Sequence, residues 1–315
     1  MTVLKTEFIR GIHNIRAQHR GCVLTIGNFD GVHLGHQAVL AQVRSQAQQR
    51  NVAATVMTFE PQPQELFQPA AAPARLTNWR EKHLQLTAQG VDRHICIEFN
   101  RRFAALPAME FIEAVLVQKL GVEFLVVGDD FRFGRGREGD FALLQQAGKR
   151  FGFAVVDTHS FRQQQRRVSS TAIRSELAAG DFGAAAAMLG RPYTLQGRVV
   201  HGEKNGRTIG FPTANIPLKR LKSPLQGVFS VKMAIPELKN ETFDGIANIG
   251  TRPTLNGSRT QLEVHLFEQD LDLYGQHVEV VPTHHIRAEQ KFASLTELQT
   301  QIKHDVEVAR ALATR

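Results

Sequence analysis

The chain has 315 residues, 42% of them hydrophobic and 22% charged, proportions that allow two domains with separate cores and exclude long disorder. No apolar run approaches the roughly 18 residues needed to cross a bilayer, and the two cysteines, Cys22 and Cys96, have neither disulfide-framework nor zinc-ligand spacing. The formal net charge of +8 invites polyanionic ligands, yet the basic residues are scattered apart from Arg132–Arg137 and Arg162–Arg167, which favours phosphate-rich small molecules over nucleic acid.

The N-terminal segment lacks the apolar centre of a signal peptide, so a cytoplasmic protein without membrane partners is expected. Cys22–Ile26, Ala53–Phe59, His94–Phe99, Phe124–Gly128 and Phe153–Val156 read as strands, and Val39, Val43 and Ala47 have helical spacing between the first two. This alternation predicts an α/β, doubly wound, Rossmann-like parallel sheet with its ligand at the C-terminal ends of the strands. There lies Gly27-Asn28-Phe29-Asp30-Gly31-Val32-His33-Leu34-Gly35-His36, a glycine-rich turn entering a helix. Such a turn offers backbone N–H groups and a positive dipole end to an anion. Histidines three apart at the helix start point the same way and can both face a triphosphate. As metal ligands they lack further donors at suitable spacing. The plain alternative is two helix-capping or surface histidines.

Three later segments add polar groups at positions where such a fold gathers its ligand. They are Thr58-Phe59-Glu60-Pro61-Gln62-Pro63, Gly128-Asp129-Asp130 with the glycine–arginine run behind it, and Ser169-Ser170-Thr171-Ala172-Ile173-Arg174. Ser170 and Thr171 are expected to cap a helix and reach phosphate, and Arg174 to grip phosphate oxygens in a fork. Ordinary caps and a solvated arginine are the alternative. Gly134-x-Gly136-x-x-Gly139 spells a dinucleotide fingerprint but is separated from its strand, and Asp181-Phe182-Gly183 lacks the catalytic loop of a protein kinase.

Near residue 180 the pattern changes. Gly180 ends one helix, Asp181 caps the next and Gly190 stops it before Pro192, placing the domain boundary at 186/187. Strands follow at Thr194–Val200, Val228–Ile235, Gly245–Ile249, Leu262–Phe267 and His277–Val281, suggesting an antiparallel β-barrel. Ser294-Leu295-Thr296-Glu297 opens a terminal helix with a capping box. Gly202, Gly206 and Gly210 make a loop flexible enough to fold over phosphates, although it is no P-loop. Thr213 and Asn215 then supply hard oxygen donors suited to Mg²⁺; read alone, the stretch is equally a tight hairpin. Leu262, Val264 and Leu266 share one strand face, and Glu263, His265 and Phe267 the other. A carboxylate placed like Glu263 can take a proton from a bound hydroxyl, unless it simply marks a solvated edge.

The motifs G-N-F-D-G-V-H-L-G-H, S-S-T-A-I-R, G-R-P-Y, G-x-x-x-G-F-P-T-A-N and E-V-H-L-F, in that order, resemble the bacterial bifunctional riboflavin kinase/FAD synthetase family over nearly the whole chain. Leu273-Tyr274-Gly275 and Arg287–Phe292 fit as well, while His284-His285 stands where that family would carry a more aromatic residue. The H-x-G-H box alone is shared with other nucleotidyltransferases and class I tRNA synthetases, but no K-M-S-K-S-like segment is present. The resemblance implies an FMN adenylyltransferase domain at 1–186 and a riboflavin kinase domain, a six-stranded barrel, at 187–315. It implies riboflavin, FMN and ATP as partners and Mg²⁺ as cofactor. By the same resemblance His33 and His36 stabilise the triphosphate, and Gly27, Asn28, Phe29, Asp30, Gly35, Asp130, Ser170, Thr171 and Arg174 hold nucleotide phosphates. Phe59, Pro61 and Pro63 would contact flavin. Gly202, Gly206, Gly210, Thr213 and Asn215 would hold the kinase ATP, with Thr213 and Asn215 on the metal and Glu263 as base. Two other readings stay open: a kinase whose N-terminal domain only regulates, and a non-enzymatic flavin- or RNA-binding module.

Overall fold

A computed structural model describes residues 5–158, 168–202, 210–238, 241–254, 257–269 and 271–313. Six parallel strands make the first sheet, in the order β1-β4-β3-β2-β5-β6. They are β1 (Glu7–Arg10), β2 (Cys22–Ile26), β3 (Ala53–Glu60), β4 (Arg93–Glu98), β5 (Val122–Val127) and β6 (Ala154–Asp157). The helices of this unit are α1 (Leu34–Arg50), α2 (Pro63–Phe67), α3 (Trp79–Ala88), α4 (Arg101–Ala104), α5 (Ala108–Glu110) and α6 (Phe141–Phe151). Beyond α5 the chain runs on in wider π turns over Phe111–Lys119.

Every residue of β2 is buried, as a central parallel strand covered on both faces requires. Leu24, Ile112, Leu116, Leu125 and Leu144 pack on one side of the sheet, and Val23, Val43, Ala47, Ala54 and Val126 on the other. From β2 the chain winds outward through β3 and β4, then returns to place β5 on the opposite side of β2. That reversal opens a crevice at the C-terminal end of β2. The turn Gly27–His36 sits there. β1 escapes sequence reading because it has four residues and a single buried side chain, Ile9.

The second sheet is antiparallel, in the order β7-β12-β9-β10-β11-β8. Its strands are β7 (Leu195–Arg198), β8 (Ala214–Pro217), β9 (Gly227–Ile235), β10 (Glu241–Thr254), β11 (Gly257–Leu266) and β12 (His277–Arg287). Just past β7, Val200 N–H donates to the Asn215 carbonyl at 2.9 Å, bringing the two edges together as a barrel does. The terminal helix α9 (Leu295–Ala313) packs against this sheet through Val306 and Ala309.

The compact units differ from a division at 186/187. One comprises residues up to Ala72 and Trp79–Val168, the other Pro73–Asn78 and Ser169–Arg315. Helices α7 (Ser170–Ala179) and α8 (Phe182–Leu189) therefore group with the barrel. They bury Ile173, Leu177, Ala185 and Leu189, and the Phe182 ring lies 6.1 Å from Phe229. Segment 73–78 is held by polar contacts. Arg75 N–H donates to the Lys222 carbonyl at 3.1 Å, and Arg220 Nη1 donates to the carbonyls of Arg75 and Leu76 at 3.1 and 3.2 Å.

Gly180 and Gly190 close α7 and α8 in left-handed conformation, and Asp181 caps α8, as the sequence indicates. The cap of α7 is Ser169, whose Oγ accepts from Ala172 N–H at 3.2 Å; Ser170 and Thr171 are already helical.

Candidate active sites

The turn after β2 is strained and buried at once. Phe29 and Val32 have φ of 46° and 41°, a region that a β-branched residue rarely enters. Their side chains are held in an apolar cluster with Leu40, Val56, Leu86 and Val91. Asp30 is buried between them in sequence, Asn28 is exposed, and Gly27 N–H anchors the turn to the Met57 carbonyl at 3.1 Å. This geometry delivers His33 as the cap of α1, its Nδ1 accepting from His36 N–H at 3.2 Å. With Nδ1 accepting, the neutral His33 ring carries its proton on Nε2. The His33 and His36 rings stack at 3.7 Å and 14°, with Phe29 4.9 Å from His36, so the two imidazoles do point together.

Burial holds the His36 pKa well below the usual histidine value, and the neighbouring His33 and Lys82 push it further down. At neutral pH His36 is therefore an uncharged imidazole that works through hydrogen bonds. Its Nδ1 is buried without a hydrogen-bond partner among the described residues. Gly35 is exposed, and a side chain there would come 3.2 Å from the His33 ring and 3.6 Å from the Val168 carbonyl.

Aromatic rings gather at the ends of β3 and β4. Phe59 meets Phe99 at 5.5 Å and Phe103 at 6.1 Å, and Phe67, 62% exposed, meets Phe99 at 5.9 Å. Pro61 lies in the loop between Phe59 and α2, and Pro63 starts α2. Phe67, Phe99 and Phe103 were not singled out from the sequence as ligand contacts; the signal was the phenylalanine spacing in E-F-N-R-R-F at 98–103. Asp130 is exposed three residues past β5. The following glycines form a loop closed by pairing of Phe133 with Gly139, away from any strand–helix turn. Arg162–Arg167 lie outside the described residues.

Ser170, Thr171 and Arg174 belong to the second unit, whereas His33, His36, Asp130 and the phenylalanines belong to the first. Arg174 Nε donates to the Ala74 carbonyl, so part of its fork is already engaged.

In the barrel, Glu263 on β11 pairs directly with Asn215 on β8 and with Asn248 on β10. Directly opposed residues share a face, so all three side chains lie on one side of the sheet. Thr213 lies two residues before Asn215, just ahead of β8. Asn215 is buried; its Oδ1 accepts from Gln261 Nε2 at 2.7 Å, and its Nδ2 donates to the Thr213 carbonyl at 3.3 Å. His265 Nδ1 meets the Pro212 carbonyl at 2.9 Å. Any side chain at Gly202 would collide with the Asn215 amide. Gly210 is exposed at the other end of that loop, and Gly206 lies outside the described residues. A cleft of about 460 Å³ is lined by Thr213, Asn215, Val264, Leu266, Asp272 and Tyr274, among others. Glu263 is not among its lining residues. Asn248, Gln261 and the structural part of His265 were missed from sequence, because only strand register reveals them. The His285 ring lies 5.1 Å from Phe229, so a histidine does supply ring packing at that position.

No group of three or more His, Cys, Asp or Glu side chains among the described residues could hold a metal ion, and no described helix is long and apolar enough to cross a membrane. The family described as FAD synthetase matches residues 15–172, and the family described as riboflavin kinase matches residues 189–313. The bifunctional riboflavin kinase/FMN adenylyltransferase of Escherichia coli strain K12 is 54% identical over 305 residues, spanning 96% of this chain and 97% of that protein. The Pseudomonas fluorescens protein of the same description is 49% identical over 308 residues, spanning 98% of both. A solved structure described as a macrolide-efflux protein from Streptococcus pneumoniae is similar at a TM-score of 0.70 and 30% identity, covering 97% of this chain and 98% of that one. With both catalytic domains present in order, the chain belongs to the bifunctional riboflavin kinase/FMN adenylyltransferase family.

Proposed function

We propose that residues 187–315 transfer the γ-phosphoryl group of ATP to the riboflavin 5′-hydroxyl, giving FMN and ADP. Residues 1–186 then transfer AMP from a second ATP to the FMN phosphate, giving FAD and pyrophosphate. For the kinase, the carrying observation is the register that sets Asn215 directly opposite Glu263, with Thr213 just ahead of the same strand. Glu263 takes the proton of the attacking hydroxyl. Thr213 Oγ1 and Asn215 Oδ1 are two hard oxygen donors from residues that line one cleft, a set that fits Mg²⁺. When bound, that ion neutralises charge on the transferred phosphoryl group. Gly202 lets the loop approach Asn215 closely, and Gly206 and Gly210 let it fold over phosphates.

For adenylyl transfer, the stacked pair His33–His36 at the start of α1 carries the reading. The FMN phosphate is ionised at neutral pH, so no strong base is required; positioning and charge stabilisation suffice. His36 acts uncharged. Gly27, Asn28, Phe29, Asp30 and Gly35 shape the phosphate-binding turn. Ser170, Thr171 and Arg174 hold the departing pyrophosphate, a role supported by the match of Ser169–Arg174 to the family's S-S-T-x-I-R box. The ring wall of Phe59, Phe99 and Phe103, with Pro61 and Pro63, suits a planar flavin, and Asp130 follows β5 at the same C-terminal end of the parallel sheet. A cytoplasmic location fits an enzyme that consumes ATP in both steps.

Purified protein incubated with riboflavin, ATP and Mg²⁺ is expected to give FMN and then FAD on chromatography. Glu263→Ala should abolish FMN formation and spare FAD formation from supplied FMN. His33→Ala combined with His36→Ala should do the reverse. Loss of both activities in either variant would overturn the two-site reading.

A further inference from the structure

Three polar side chains share one face of β11: Gln261, Glu263 and His265. The proposed chemistry uses the middle one. The outer two reach the segment that enters β8. Gln261 Nε2 donates to Asn215 Oδ1 at 2.7 Å, and His265 Nδ1 meets the Pro212 carbonyl at 2.9 Å. A carbonyl oxygen only accepts, so the His265 proton resides on Nδ1. The two contacts bracket Thr213 and Asn215 from either end.

The bracket matters because the backbone holds this segment weakly. β8 has four residues, and its register with β11 extends only over Ala214–Pro217. On its other side the pairing among the described residues is a single bridge, Val200 with Asn215. Pro212 has no N–H to give, and Thr213 precedes the strand. Asn215 is held in one orientation, since its Nδ2 donates to the Thr213 carbonyl while Oδ1 accepts from Gln261. An amide oxygen has two lone pairs, so Gln261 takes one and fixes the direction of the other.

We infer that Gln261 and His265 are positioning residues of the riboflavin kinase site, clamping Pro212–Asn215 so that the Thr213 and Asn215 oxygens are presented to a divalent cation opposite Glu263. The inference rests on the assignment of Thr213 and Asn215 as the cation donors. Groups that orient metal ligands from behind typically cost about 10–100-fold in affinity or activity when removed.

The test uses full-length Gln261→Leu, His265→Phe and His265→Gln, with circular dichroism to monitor folding and FAD formation from FMN as the activity of the other site. Calorimetry measures binding of ADP with Mg²⁺ and of ADP with chelator. Gln261→Leu is expected to weaken Mg²⁺–ADP binding about tenfold, leave metal-free ADP within about twofold, and raise the Mg²⁺ half-saturation of FMN formation about tenfold. His265→Phe should lower FMN formation, with His265→Gln recovering part of it because its amide can donate to the Pro212 carbonyl. In an Asn215→Ala background, Gln261→Leu should add nothing further, which a merely structural role would not produce. Unchanged Mg²⁺–ADP binding and Mg²⁺ half-saturation in Gln261→Leu, with both weakened in Asn215→Ala, would overturn the clamp. Unchanged values in Asn215→Ala as well would overturn the cation assignment beneath it. If Gln261→Leu does not fold, Gln261→Met is measured instead, with the same outcomes.

Discussion

Beneath the first site, one histidine reports on the stability of the fold. His94 is buried on β4, its Nε2 2.8 Å from Thr58 Oγ1 and its Nδ1 3.2 Å from His83 Nδ1. Burial above all, with smaller contributions from Lys82 and His83, drives its pKa down to about 3. His36 shifts in the same direction. In the unfolded chain both titrate near 6.5. Below that value the unfolded chain binds protons that the folded chain refuses, so stability is full above pH 6.5 and falls as pH drops toward the folded pKa. Each such group contributes up to about 1.4 kcal/mol per pH unit in that window. Urea unfolding between pH 7 and 4 should therefore show a shallower acid loss in His94→Gln, which keeps a partner for Thr58 without a titrating ring. A stability difference from the unaltered protein that stays constant over that range would show that His94 is not held neutral.

Single elements carry the geometry of both sites, and two small changes test this. Ser169→Ala removes the α7 cap and should cost about 1 kcal/mol in urea unfolding, while Ser170→Ala, one residue inside the helix, should cost much less. Equal losses would return the cap to Ser170. At Gly202 no side chain fits beside the Asn215 amide. Gly202→Ala should shift that amide by a fraction of an ångström and lower FMN formation on the order of tenfold or more, with FAD formation from FMN unchanged. Unaltered FMN formation would show that this loop does not press on Asn215 during turnover. The same elements show what could be read beforehand. β2 and α1 were legible because a five-residue apolar run ends at a glycine turn and a helical stripe follows. Caps at Gly180, Asp181 and Gly190 were legible because their chemistry is local. The α7 cap was misplaced by one residue, since three consecutive hydroxyls can all cap and only backbone geometry selects among them. β10 extends over fourteen residues although only Gly245–Ile249 read as strand, because Asp244 and Gly250, which flank that run, are poor strand formers that pairing with β9 and with β11 overrides. Gln261 and Asn248 were invisible for a related reason. Their importance comes from which residue lies across the ladder, and that is a property of register.

At the scale of the whole molecule, the catalytic residues and the folding units divide the chain differently. The residues proposed for the kinase all lie beyond 187, yet the barrel unit also includes Pro73–Asn78, α7 and α8. Arg220, only 6% exposed, has its Nη1 within reach of three acceptors, the carbonyls of Arg75 and Leu76 and the hydroxyl of Tyr193. Tyr193, also buried, donates its hydroxyl to the Leu76 carbonyl at 3.1 Å. A fragment 187–315 removes both carbonyls and leaves a guanidinium without much of its environment. Loss of partners around a buried charge costs about 3–5 kcal/mol, a large share of the roughly 5–15 kcal/mol that holds a domain. Removal of Phe182 also exposes the Phe229 ring it packs against. The fragment 187–315 should therefore unfold at distinctly lower urea than the barrel of the intact protein, and lose riboflavin kinase activity with it. In the fragment, Arg220→Met should recover part of that difference, because it removes the charge whose partners the fragment lacks. Equal urea midpoints for fragment and intact protein would show that segment 73–78 is dispensable, and that the boundary read from sequence is also the boundary of folding.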